Sequence, residues 1–230
     1  MADYKTIHGT KVRSYTTDPD NPITGQVWYD KTNNVLQFQA AGAWSTGGNL
    51  NTARAALMGA GTQTAGLKFG GRSPNVGNTE KYNGSSWTEV ADMNVARSQG
   101  GGSGVQASAL AYAGEPPSNT RDLTESWNNT AWSNVADLNA ARNGAGGNAG
   151  VSNTSALCFG GGGPDPSANE SWNGTSWTEL ADLNTGRYNL TGSGTATAAL
   201  AYGGTAGPPV YAITESWNNT SWTEVADLNT

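Results

Sequence analysis

With 230 residues, a net charge of −6 and only 13% charged side chains, the chain has no basic stripe for a phosphate backbone and no apolar run near the ~18 residues that span a bilayer. No nucleic-acid partner and no membrane insertion are therefore predicted, and a single cysteine, Cys158, with a single histidine, His8, leaves no intrachain disulfide, no nitrogen and sulfur ligand set for a metal, and no cofactor. Leu, Ile, Val and Phe supply only 30 residues, below the ~20% level associated with disorder, yet nine Trp and eight Tyr are too many large aromatics for a solvated chain, so a folded protein of small residues around aromatic anchors is expected.

In chain order, "MADYKTIHGTKVRSY" is polar and lacks the apolar middle of a signal peptide, so no leader is predicted, and "YKTIHGTKVRSY" can supply a strand. The segment "TTDPDNPITG" reads as a loop. "GQVWYD" and "NVLQFQ" alternate around Lys31, Thr32, Asn33 and Asn34 and read as a hairpin. From there "VLQFQAAGAWSTGGNLNTAR" shadows the later "TEKYNGSSWTEVADMNVAR", with Phe38 for Tyr82 and Trp44 for Trp87. Residues 1–48 are accordingly expected to be a degenerate first repeat or a docking segment.

Residues 49–230 are four repeats, 49–93, 94–138, 139–183 and 184–230. Trp44, Trp87, Trp132, Trp177 and Trp222 step by 43, 45, 45 and 45 residues, Arg54, Arg97, Arg142 and Arg187 keep the same steps, and Glu80, Glu125, Glu170 and Glu215 step by 45. In each "TESWN"-like segment the Glu and the aromatic share one face of a strand, and the next four residues, Asn-Asn-Thr-Ser or Asn-Gly-Ser-Ser, are turn formers that tolerate positive φ. The resulting hairpins set Trp217 opposite Trp222, Trp172 opposite Trp177, Trp127 opposite Trp132 and Tyr82 opposite Trp87. Two more short strands precede each hairpin, one through "GSGT" and one through "AALAYGG". Four strands per ~45 residues is the arithmetic of a β-propeller blade.

The order of these features, a small apolar strand ending in a glycine pair (Gly70–Gly71, Gly160–Gly161, Gly203–Gly204), Glu-x-aromatic-Asn, a Trp five residues after the aromatic, then "LN-x-x-R", resembles the kelch repeat. The second repeat departs from it with Ala113–Gly114, and the aromatic before the turn is mostly Trp. The resemblance implies an all-β, kelch-like β-propeller, with five blades if residues 1–48 form one. The last strand finishes in the phase at which residue 48 hands over to the first full repeat. The alternative is that residues 1–48 and 223–229 complete one shared blade, making the ring four-bladed or leaving it open to a neighbouring subunit.

The opening "MADYKTIHGTKVRSY…NP…GQVWYD…LQF…AW", followed by Gly-rich repeats, is similar to tail-fibre-like and other virion-surface proteins of bacteriophages. That resemblance implies a virion-surface protein of tail or capsid, assembled in the host cytoplasm, whose partners are a host surface glycan or protein receptor and other virion proteins. Homo-oligomerisation stays open.

Half of the charged residues recur at fixed repeat positions, and the four repeated Arg are expected to pair with repeated carboxylates, because a partly buried ion needs a hydrogen-bonded partner. No enzyme is predicted. Eighteen Asp and Glu make some carboxylate pair available in any fold, and a nucleophile and base arrangement would have to use His8, in the least repetitive part of the chain. The Asn-x-Ser/Thr triplets at Asn83, Asn128, Asn173 and Asn218 are read as tight turns. The informative residues are those that do not repeat: "RSPNVGN" (72–78), "EPPSNTRD" (115–122), "GGPDPSA" (162–168) and "TAGPPVYA" (205–212) fall at one end of every blade. Arg72, Asn75, Arg121, Asp165 and Tyr211 are the ligand contacts this reading selects, for receptor recognition; the alternative role is a structural decoration or adaptor between virion proteins, and a remote one a glycan hydrolase.

Overall fold

The computed structural model describes residues 13–16, 27–38, 46–72, 74–117 and 121–229, divided between two compact units, Met1–Thr46 and Gly47–Thr230. All regular elements among the described residues are β-strands. In the first unit β1 (Arg13–Tyr15), β2 (Val27–Asp30) and β3 (Val35–Phe38) form one sheet in that order. β2 and β3 are the predicted hairpin, antiparallel with Val27 opposite Phe38. The buried Asp30 carboxylate closes its turn, accepting from the Asn33 side chain (2.7 Å) and from the Thr32 and Asn33 amides (2.8 and 3.2 Å). These bonds, the Asn33 side chain foremost, hold its pKa below the usual carboxylate range. β1 runs parallel to β2, Arg13 opposite Trp28, whereas every pairing inside the repeats is antiparallel. His8 and Trp44, both singled out in the sequence, lie outside the described residues.

The second unit holds four antiparallel four-stranded meanders, arranged like propeller blades. Blade one is β4 (Met58–Gly61), β5 (Gly66–Phe69), β6 (Thr79–Tyr82) and β7 (Trp87–Val90). Blade two is β8 (Gly101–Val105), β9 (Ser108–Tyr112), β10 (Thr124–Trp127) and β11 (Trp132–Asn134). Blade three is β12 (Gly146–Ser152), β13 (Ser155–Phe159), β14 (Asn169–Trp172) and β15 (Trp177–Glu179), and blade four is β16 (Thr191–Thr195), β17 (Ala198–Tyr202), β18 (Thr214–Trp217) and β19 (Trp222–Val225). The aromatic pairs stand opposite one another as the turn chemistry requires, Tyr82 with Trp87, Trp127 with Trp132, Trp172 with Trp177 and Trp217 with Trp222. In each outer turn the Asn of the Asn-x-Ser/Thr triplet accepts two main-chain N–H bonds of 2.9–3.0 Å, which is a turn role for these residues.

The first strands β4, β8, β12 and β16 lie successively side by side, and β12 and β16 join through a parallel bridge between Ala149 and Gly194. Such closeness requires glycine: a Cβ on Gly102 would stand 2.6 Å from the Gly59 carbonyl, and one on Gly192 2.3 Å from the Phe159 ring. At one end of these strands a chain of main-chain bonds steps from blade to blade, Gln99 N–H to Ala56 O (3.0 Å), Gly144 N–H to Gln99 O (2.8 Å) and Asn189 N–H to Gly144 O (2.7 Å).

Each blade face packs on the next by one rule. Leu67 and Phe69 of blade one, with Met58 and Met93, meet Ala109, Ala111, Trp127 and Trp132 of blade two. Alanines in the receiving strand leave room for the large residues opposite, which is why these strands lack the Val and Ile of an ordinary sheet. Across the three interfaces Trp132 lies 4.8 Å from Phe69, Trp177 5.2 Å from Tyr112 and Trp222 5.0 Å from Phe159, centroid to centroid. The indoles of Trp132 and Trp177 donate to the hydroxyls of Thr79 (2.9 Å) and Thr124 (3.0 Å) of the preceding blade. At the third interface asparagine replaces threonine, and both Asn169 Oδ1 and Trp222 Nε1 are buried without a partner.

The segment that enters each blade is fixed by a buried ion pair. Arg54, Arg97, Arg142 and Arg187 pair with Glu80, Glu125, Glu170 and Glu215, each side chain at most 2% exposed. The carboxylate also accepts two main-chain N–H bonds from the "LN-x-x-R" segment, as Glu125 does from Asn94 (2.7 Å) and Val95 (3.3 Å). The Arg spends its other donors on carbonyls, Arg97 on Val95, Ala111 and Ala113. The motif's asparagine ties the loop to the outer strand, Asn94 Nδ2 donating to Trp132 O (3.2 Å). For Glu80 burial raises the pKa, but the bonds from Arg54, Asn51 and Thr52 outweigh it and hold the group below its ordinary value. Removing one partner leaves the other charge buried and unpaired, so Arg142→Met is expected to destabilise the fold by about 3–5 kcal/mol. Chemical denaturation checks this; an unchanged midpoint would mean that the pair is solvated in solution.

Candidate functional site

In every blade the residue after the repeated Arg bridges to the residue after the glycine pair: Ala55 with Arg72, Ser98 with Glu115, Asn143 with Gly162 and Tyr188 with Thr205. The non-repeating loops therefore start beside the turns that lead into the innermost strands. Both kinds of segment vary between repeats, and together they form the varied end of each blade.

Three of the five residues selected from the sequence converge there. Asn75 Nδ2 donates to the Glu115 carbonyl (2.7 Å), and Arg121 Nη2 donates to Glu115 Oε1 (3.1 Å). The Gln99 amide, in the orientation that satisfies both its ends, accepts from Arg72 Nη1 (3.0 Å) and donates to Glu115 Oε2 (3.2 Å). Asn143 Nδ2 lies 3.2 Å from the same amide. The cluster thus draws on blades one and two, with Glu115 at its centre, and Asn143 at the entry to blade three borders it.

Its electrostatics differ from those of the buried pairs. The Arg121 and Glu115 side chains are 32% and 39% exposed, which leaves the pair open to water and salt. Arg72 is exposed. Two polar atoms at the edge of the cluster, Arg121 Nε and Asp122 Oδ1, are buried without a hydrogen-bond partner. The arrangement suits a ligand rich in hydroxyl or other polar groups.

The other two selected residues stand apart. Asp165 is engaged within its own loop, accepting from Ser167 N (2.9 Å) and Ser167 Oγ (2.6 Å), and those bonds, the side chain first, hold its carboxyl below the usual range. Tyr211 is half-buried on the blade-four loop, its amide donating to Gly204 O (2.8 Å). Among the described residues no hydrogen bond joins either to the Glu115 cluster. Sequence reasoning passed over Gln99, Asn143 and Asp122. Asn143 and Gln99 occupy the first and second positions after the repeated Arg, where Ala, Ser, Asn and Tyr, and Ala, Gln, Gly and Asn, stand in the successive repeats, and that lack of repetition was the available signal.

Cys158 is fully buried, and burial pushes its thiol up to about 12, which leaves it an inert core residue. Among the described residues no group of three or more His, Cys, Asp or Glu could hold a metal ion. Compared with protein-family models and with curated proteins, the chain matches none.

Because the Glu115 pair is exposed, Glu115→Ala is expected to cost less than about 1 kcal/mol of stability. A denaturation midpoint lowered as far as that of a buried-pair variant would instead make Glu115 a structural residue.

Proposed function

We propose that the chain is a non-enzymatic binding module that recognises a host surface receptor, a glycan, through the varied end of a kelch-like propeller scaffold on a phage virion. The observation that carries this reading is the convergence of Asn75 and Arg121 on Glu115, with Arg72 joined to it through the Gln99 amide. A repeated frame holds these side chains while the loops bearing them are free to differ, which is how a repeat protein acquires a selective face. Planar guanidinium, amide and carboxylate groups match pairs of sugar hydroxyls, and hydrogen bonds to charged groups are the stronger kind. The virion setting rests on the resemblance of the N-terminal segment and the Gly-rich repeats to phage tail-fibre-like proteins.

Residues 1–48 serve in this reading as a docking segment. The parallel pairing of β1 with β2 supports that role over a fifth blade, because a blade is an antiparallel meander. The second reading, a structural or adaptor protein joining virion components, is favoured by the exposed Leu200 and Leu228 of blade four.

Binding of the full chain to arrayed bacterial surface glycans tests the receptor reading. Arg72→Ala and Arg121→Ala are each expected to weaken the binding tenfold or more, the loss of one charge-assisted hydrogen bond of about 1.5–3 kcal/mol. Unaltered glycan binding in both variants, or a tight complex with tail or capsid protein in place of any glycan, would contradict it.

A further inference from the structure

The repeat gives every blade two faces. A forward face carries the large residues of its second strand, and a receiving face carries the aromatic pair and, in blades two to four, small residues. The three interfaces in the Gly47–Thr230 unit consume three of each. One forward face, on blade four, and one receiving face, on blade one, have no partner blade within that unit.

The forward face of blade four has the composition of an interface. Leu200 is 39% exposed, whereas its counterparts Leu67, Leu110 and Leu157 are at 0%. Leu228 is 47% exposed, whereas Met93, Leu138 and Leu183 at the same repeat position are at 4–5%. Tyr202 is half-buried where Phe69, Tyr112 and Phe159 are fully buried. Thr214 Oγ1, at the position from which Thr79 and Thr124 accept an indole N–H, is buried without a partner. Terminal repeats of stacked proteins normally end in a polar face, and this one does not.

The receiving face of blade one is the complement. Tyr82 and Trp87 are half-buried, their rings 4.9 Å apart, and border an open recess of about 580 Å³ with Gly59, Gly61, Gly66 and Lys68. Gly66 and Lys68 stand at the positions of Ala109 and Ala111, which receive Leu67 and Phe69. The Trp87 N–H is spent on the Gly48 carbonyl (3.1 Å), a bond that can be exchanged for one to a threonine hydroxyl.

We infer that the forward face of blade four binds the receiving face of blade one in a second copy of the chain, head to tail, in the geometry of the three interfaces inside each copy. Leu200 and Leu228 then enter a core of the kind their counterparts occupy, the Thr214 hydroxyl gains the indole of Trp87, and the Lys68 ammonium lies against the Tyr202 ring as a cation against an aromatic face. The contact joins two different surfaces, so it propagates into a ring or a filament according to whether its rotation closes.

Mass measurement by analytical ultracentrifugation on the full chain, alone and in mixtures, tests the inference. The wild-type chain is expected to exceed the monomer mass increasingly with concentration. Leu200→Glu, which blocks only the forward face, and Tyr82→Glu, which blocks only the receiving face, are each expected to stay monomeric. Mixed together they retain one sound face each and are expected to form a dimer of twice the monomer mass that grows no further. Lys68→Glu replaces Tyr82→Glu if the latter loses its β-sheet circular dichroism. A wild-type chain that stays monomeric, or a mixture that does not dimerise, overturns the inference, whether the face is covered by another part of the same chain or by nothing.

Discussion

The carboxylate that each repeat buries on its third strand is the constraint on which the rest depends. Glu80, Glu125, Glu170 and Glu215 each face a guanidinium and two main-chain amides from the segment that enters their blade. A charge in that position is tolerable only if the entering segment adopts one conformation, because any other leaves the ion without its donors. The Arg in turn satisfies carbonyls at the end of the second strand, as Arg97 does for Ala111 and Ala113. One ion pair therefore fixes where a blade begins, where its glycine pair sits and how the previous blade hands over to it.

With the crossing fixed, the interface between blades follows from size. The second strands present large residues forward and, in blades two to four, small ones backward, so Phe69, Tyr112 and Phe159 fill the space over the alanines and cysteine of the next blade. The Trp of the fourth strand completes the layer, and its indole reaches a threonine of the preceding blade in two of three cases. Variation is left to positions that neither the ion pair nor this packing uses, the residues after the Arg and after the glycine pair. These are the positions that assemble the Glu115 cluster. The same packing rule leaves exposed Leu200 and Leu228 on the last face of the repeat array and Tyr82, Trp87 and Lys68 on the first.

Much of this was legible in the sequence, because the repeat multiplies each local signal. The four strands of each blade, the Asn-led outer turns and the aromatic pairs follow from period-two patterning and turn chemistry, which act within about ten residues. The Arg and Glu partners, 26 or 28 residues apart, could be inferred because both recur in register and a buried ion needs a counterion. The indole bonds between blades were not legible: Trp132 and Thr79 are 53 residues apart, and nothing local marks the Thr as an acceptor. The Glu115 cluster was half legible, since the loops were visible as the places where repetition fails, but which of their side chains turn toward one another depends on loop conformation. Asp165 shows the difference, a divergent-loop carboxylate that its own Ser167 claims. The parallel β1–β2 pairing was hidden as well, because a short strand carries no signal of its direction.

A double-mutant cycle at Arg97 and Glu125 tests the central claim most directly. Denaturation is measured for Arg97→Met, for Glu125→Gln and for the two together. If the buried pair dictates the blade, each single change is strongly destabilising and the double change costs less than their sum by a coupling of about 0.5–3 kcal/mol. Strictly additive costs would contradict the account, since the two side chains would then be contributing independently and the register of the repeats would have to rest on packing alone.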